Sequence, residues 1–432
     1  MNGRRLLALA APLMAVAIGT PAFAYFVPDY SEQVAATASA AVPSKEPYVL
    51  KVGTSPDGAA LGGMAKSLKT TGVQELLTQK GNRQGEWGGN CGASAGVPAG
   101  AKVFCFNSGD TATKEWYPQG VTGVSDAQAD ERWGTAKPLL VSWYDHDKKA
   151  PHKSARVTFV NTEDNTYRHA LLVWPYRNAR GRTTYEPVGT HGSDTGIHAG
   201  GIAWYGNRLY VSDTSAGLRV FDMRQIFDLG KSANGSTSKP GLVGLHGKTY
   251  HAYGYRYVMP QVLSYVPDRP SGGPCTVNGT PNHSWLSINR TGKDRLVTGE
   301  WCKNGNGRVA QFPLTSGSPG SSDLETDAQG RATPSWVARL PASYVQGGAT
   351  ADGTWWFTRN VPLAEHSYPP GQNKNQGQLV QAVWADGFED VQRETVSFGP
   401  EDLSCWRGAD QVWTVAEHPG QRALYGMKKP QC

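Results

Sequence analysis

The 432-residue chain is poor in charge: Asp, Glu, Lys and Arg together make 18%, and nowhere do five Lys or Arg residues follow one another. A formal net charge of +6 scattered in this way lacks the electrostatic footprint of a nucleic-acid binder, so no nucleic-acid partner is expected. Cysteines in C-x-x-C spacing are absent, which removes the common zinc and redox signatures. No P-loop and no G-x-G-x-x-G ahead of a helix occurs, which speaks against a nucleotide cofactor. Serine chemistry has little support, since Ser284 or Ser404 would need a base that the sequence does not place. Long apolar runs are missing after the first residues. There Arg4 and Arg5 precede an apolar stretch from Leu6 to about Gly19, which ends in Ala22-Phe23-Ala24. This is short for a membrane span and carries a small-x-small site, so residues 1–24 read as a secretory signal peptide. A secreted, extracellular protein without stable membrane insertion is expected.

What the chain has in quantity is glycine (52), tyrosine (18) and tryptophan (14), a composition of many turns and aromatic strands. Six cysteines, all after the signal, fit three disulfides in an oxidising compartment. Their grouping suggests Cys91 with Cys105, Cys275 with Cys302 and Cys405 with Cys432, one of fifteen pairings. Residues 25–100 read as an arm and leader, Ala/Ser/Val-rich at first. Leu68, Val73, Leu76 and Leu77 then give helical spacing between Leu61 and Lys80, and a Gly-rich stretch follows.

From about residue 101 strands dominate. HAGGIAWYGNRLYVSDTSAGLRVFDM, from His198, is three short apolar strands parted by turn residues. The same order recurs from Gln119, His283, Gln346 and Ser404. Repeated sheets of this kind predict a single all-β propeller over 101–432, of five blades, with KVFCFNSGDTATKEWYP supplying strands that close the ring. A sixth blade is open, because ARVTFV with RHALLVWPY, or KTYHAYGYRYVMPQVLSYV, offers strands for it. The run HGSDTGIHAGGIAWYGNRLYVSDTSAGLRVFDM resembles uncharacterised secreted propeller-like proteins of actinobacteria and filamentous fungi. The resemblance implies the fold and an extracellular setting, and no reaction.

In a propeller the innermost strands surround the axis, so their lead-ins Gln119, His198, His283, Gln346 and Asp402 with Ser404 would form a polar ring. The ends of the second strands add Asp145, Asp213, Glu300, Arg359 and Glu417. Carboxylates beside a channel mouth suit glycoside cleavage, one as acid and one as base or nucleophile. His198 and His283 with Asp145, Asp213, Glu300 and Glu417 are therefore the catalytic candidates. Gln119, Gln346, Arg359 and Trp406 are the substrate-binding candidates. His191, Asp194 and His198 have ligand-like spacing for a divalent cation such as Ca²⁺ or Mn²⁺. Most tryptophans are expected between blades, with two or three facing a ligand. The expected function is cleavage of an extracellular polysaccharide, as hydrolase or lyase, by a monomer. The alternatives are a lectin-like propeller and a metal-dependent lactone or ester hydrolase. A single cleft rich in carboxylates and histidines would favour an enzyme, and repeated shallow pockets a lectin.

Overall fold

The computed structural model describes residues 43–147, 151–193, 195–305, 307–315, 323–361 and 376–432. Residues 1–24, read as a signal peptide, and most of the arm lie outside them. Among the described residues, strand order gives five four-stranded antiparallel units. The first is Trp116–Gly123, Pro138–Asp145, Ala155–Asn161 and Thr166–Arg177. The second is Ile202–Tyr205, Arg208–Asp213, Gly217–Asp222 and Tyr257–Pro267. The third is Trp285–Asn289, Arg295–Gly299, Arg308–Pro313 and Trp336–Arg339, and the fourth Val345–Ala351, Thr354–Asn360, Gln376–Trp384 and Phe388–Phe398. The fifth takes Ser404–Trp406, Gln411–Ala416 and Ala423–Lys428, and its outer strand is Lys102–Cys105 from before the first unit. The innermost strand of each unit packs on that of the next, and the fifth returns to the first. The protein is an all-β propeller, and Lys102–Cys105 fastens the ring as the sequence suggests.

The segments offered for a sixth blade are used otherwise. Ala155–Asn161 and Thr166–Arg177 are outer strands of the first unit, and Tyr257–Pro267 is the outer strand of the second. These two outer strands also pair in parallel, Tyr257 opposite Ala170, which joins the first two blades in one continuous sheet. The leader is woven into the outer edges: Leu50–Val52 pairs with Tyr257–Pro267, and Lys69–Thr71 with Ile226–Asp228. That second pairing divides the helical stretch expected from Leu61 to Lys80. The helix Gly58–Ser67, capped by the Asp57 side chain on the Ala59 N–H, stops before β-branched Thr70 and Thr71, and a new helix runs Val73–Thr78.

Packing between blades falls largely to tryptophan. Trp143, Trp204, Trp285, Trp356 and Trp413 are fully buried. Trp285 shows how: a Cβ on Gly299 of its own sheet would lie 2.0 Å from the indole, and one on Gly348 of the next blade 2.5 Å. The ring thus lies flat between two glycines, and a side chain at either position would displace it. The three disulfides join Cys91 to Cys105, Cys275 to Cys302 and Cys405 to Cys432. No helix among the described residues is long and apolar enough to cross a membrane.

Candidate functional site

The five inner strands start at one face of the propeller, and the second strands end there, so the sequence's two sets of candidates share that face. Below it the axis is closed. Asp402 is fully buried, and its Oδ2 accepts the N–H of Val121 at 3.3 Å and of Ile202 at 3.1 Å, from the inner strands of the first two blades. The N–H groups of Leu286 and Leu403 add to the field on the same carboxyl, and a Cβ on Gly347 would lie 2.6 Å from the Asp402 Cα. Amides from the first three blades thus act on one acidic side chain of the fifth, and the fourth blade packs against its backbone. Its carboxyl is pushed well above the usual range by burial, against the pull of these amides. At this level the axis is occupied by the buried Asp402 and the strands around it.

Above Asp402 stands a group of ionisable and aromatic side chains. Glu417 follows the second strand of the fifth blade, with 17% of its side chain exposed. Its Oε2 accepts the Nε2–H of buried Gln119 at 3.0 Å, and its backbone carbonyl accepts the Arg422 Nε–H at 2.8 Å. Burial raises the Glu417 carboxyl to about 7, while the Gln119 hydrogen bond and the Arg422 charge restrain the rise. Glu401 is buried beside it and accepts from Gln346 Nε2 at 3.2 Å. Burial, and then the negative charges of Glu417 and Asp402, push Glu401 well above the ordinary carboxylate range. Arg422 is fully buried, its guanidinium 5.0 Å over the Tyr117 ring, and burial lowers it to about 10.

The aromatic side is continuous. His198 lies 4.2 Å, ring centre to ring centre, from Tyr144, and His146 lies 4.4 Å from Tyr117. His198 as a residue is exposed, while its ring lies against Tyr144. Desolvation, then the neighbouring His146, lowers it to about 4, so it is a neutral imidazole at pH 7. Tyr144 connects the halves: its ring touches His198, and burial with the charges of Glu417 and Glu401 raises its hydroxyl.

The other predicted residues have different duties. Glu300 is fully buried and ion-paired with Arg308 Nε at 2.7 Å, and it also accepts the Cys275 N–H. Asp213 holds Arg219 at 2.6 Å from two residues beyond its cross-strand partner. Asp145 closes its own turn by accepting the N–H groups of Asp147 and Lys153, and burial raises it. His283 is buried ahead of the third inner strand, bonded through Nδ1 to Thr298 Oγ1 at 3.2 Å, and desolvation lowers it to about 4. Arg359 donates to the Ser343 carbonyl and to Gln378 Oε1. Trp406 ends the fifth inner strand, at the face away from Glu417, and its indole N–H donates to Glu131 Oε2 at 3.1 Å.

For the metal reading, His191 is bonded to Glu186 and lies 4.6 Å from the Tyr176 ring, while Asp194 lies outside the described residues. Among the described residues, one group of three possible ligands comes together, Cys275, Glu300 and Cys302. Its sulfurs are joined in a disulfide and its carboxylate is held by Arg308. Ser94 stands in a Gly-x-Ser-x-Gly stretch, but on the short helix Cys91–Ala95, with its hydroxyl bonded to the Cys91 carbonyl, and no strand-to-helix elbow exposes it.

Sequence reasoning passed over Glu401, Tyr144, His146 and Arg422 as site residues. Glu401 was the most accessible to it, lying three residues before Ser404 in an inner-strand lead-in. Arg422 gave no signal, because its place depends on a return of the chain in the fifth blade.

No family model matches the chain, and no curated protein matches it. Similar solved structures include a glycoside hydrolase family 43 arabinoxylan arabinofuranohydrolase from Bacillus subtilis, at 7% identity over 72% of this chain, with a TM-score of 0.30. The match spans 63% of the length of that enzyme chain. The β-propeller domain of Cps50 (Swd1) from Myceliophteria thermophila is 9% identical over 73% of this chain and 97% of that one, with a TM-score of 0.30. A structure from the GH130 family of mannoside phosphorylases is 9% identical over 83% and 97%, with a TM-score of 0.31. At such identities the reaction has to be read from the chain's own side chains.

Proposed function

We propose that the protein cleaves a glycan chain laid across the group of Tyr117, Tyr144, His198 and Glu417. The observation that carries the reading is the gathering of Glu401, Glu417, His146 and His198 about Tyr144, while Glu300 and Asp213 are tied into structure. Glu417, with its carboxyl at about 7, holds a proton near neutral pH and can give it to a glycosidic oxygen. His198, neutral at that pH, is the base, acting on water for hydrolysis or on a ring proton for elimination. Glu401, pushed above the ordinary carboxylate range beside them, accepts from Gln346 Nε2 and so fixes that amide. The aromatic rings present faces suited to the apolar faces of sugars. Three disulfides suit work outside a reducing cytosol, in line with the signal peptide read from the sequence.

The test is turnover by the purified protein on a panel of polysaccharides, with and without chelator. Release of reducing ends is measured beside the ultraviolet absorbance of an unsaturated product, which separates hydrolysis from elimination. Glu417→Gln and His198→Ala should each reduce kcat at least ~100-fold in folded protein. Full turnover in both variants, or none on any glycan by the unaltered chain, would remove this reading.

A further inference from the structure

At the face away from Glu417 a cavity of about 390 Å³ opens between the third and fourth blades. Two half-buried tryptophans and one buried one define it. Trp336 stacks on Trp355 at 5.3 Å with 27° between planes, and Trp384 stands perpendicular to Trp336 at 4.8 Å. Two partly open indoles at a right angle make a corner, which bounds a flat ring on one face and one edge. The polar lining is planar as well. Asn289 Nδ2 donates to Gln311 Oε1 at 2.9 Å, which orients both amides, and Arg295 donates one N–H to the Thr291 carbonyl. A guanidinium carries five donors in a fixed fork, and an amide offers donor and acceptor side by side.

No carboxylate is among the described residues that line the cavity, so a cationic ligand finds no counter-charge there. Asn289 is spent, since its Oδ1 also accepts the Thr291 N–H, and an aliphatic ligand would leave the Gln311 Nε2 and the other N–H groups of the guanidinium unanswered. A saturated ring with an apolar face and a rim of hydroxyls satisfies both sets of groups, and the volume suits about one or two such rings. We propose that this cavity is a second glycan-binding site, which anchors a neutral polysaccharide on the face opposite the site of cleavage. The proposal rests on the glycan class argued above, though not on cleavage at Glu417.

The test uses the full chain carrying Glu417→Gln, so that a bound polymer survives. Its migration is measured in affinity gels containing xylan, galactomannan or dextran. Retardation by at least one polymer is expected, and Arg295→Ala or Trp384→Ala added to this background should weaken it about tenfold. In the otherwise unaltered chain, Arg295→Ala should leave turnover of short oligosaccharides unchanged. Should Trp384→Ala fail to fold, Arg295→Ala and Gln311→Leu decide alone. Unchanged retardation in the folded cavity variants, or retardation by no polymer, overturns the proposal. Turnover without cavity-dependent retardation sinks the anchor and spares the cleavage reading. Cavity-dependent retardation without turnover does the reverse.

Discussion

Gln119 on the innermost strand of the first blade donates to Glu417 Oε2 at 3.0 Å, so the carboxyl that ends a strand of the fifth blade is held across the junction where the ring closes. The bond favours the charged form of Glu417 and opposes the effect of burial. Gln119→Leu should therefore raise the Glu417 carboxyl above about 7 and move the alkaline limb of the kcat/KM profile to higher pH. A profile unmoved in the variant would show that Glu417 does not govern that limb.

Glu417 also bears on stability, and the sign can be worked out. Its carboxyl is near 7 in the fold against 4.5 when free, so the folded state binds the extra proton between these values. Stability then falls as pH rises through this window, by up to about 3.4 kcal/mol at about 1.36 per unit, less what solvent screens. Glu417→Gln should unfold later than the unaltered chain at pH 8 and show little gain at pH 5, as thermal melts would report. A variant that abolishes turnover while adding stability marks a site kept for chemistry.

Glu300→Gln should behave in the opposite way. It leaves the fully buried Arg308 guanidinium without its counter-charge, at a cost of roughly 3–5 kcal/mol. The urea midpoint should drop, while turnover per folded molecule stays near that of the unaltered chain. Lost turnover with an unchanged midpoint would return Glu300 to the catalytic set.

Asp402→Ala removes the acceptor on which the Val121 and Ile202 amides close. Each buried N–H left without a partner costs roughly 1–3 kcal/mol, so stability should fall by several kcal/mol and the urea midpoint with it. Asp402→Asn keeps a carbonyl oxygen and should recover part of the loss. Equal stability of Asp402→Ala and the unaltered chain would deny the axial role.

Much of the ring could be read in advance because turn residues and short apolar strands are local signals. Gln119, His198, His283, Gln346 and Ser404 each stand in or just ahead of an innermost strand, and KVFCF does complete the fifth sheet. The site was harder, since Asp213, Glu300 and Glu417 all follow the second strand of a blade and look alike in sequence. What separates them is the neighbour. Arg219 and Arg308 lie on the adjoining third strands, within reach of cross-strand reasoning, and they claim Asp213 and Glu300. Glu417 has Gln119 instead, almost the whole propeller away along the chain, and no local pattern announces that pairing. The same distance hides Asp402, whose partners come from the other blades.

The strand Lys102–Cys105 meets its partner Ala423–Lys428 only after every other blade has been made. During synthesis the nascent chain therefore carries an unmated edge at each end of an open arc. Any early release or proteolytic nick that costs the fifth blade exposes both edges to neighbouring chains. Integrity of the ring is accordingly a matter of Ala423–Lys428, with Cys405–Cys432 as the covalent tie beyond it.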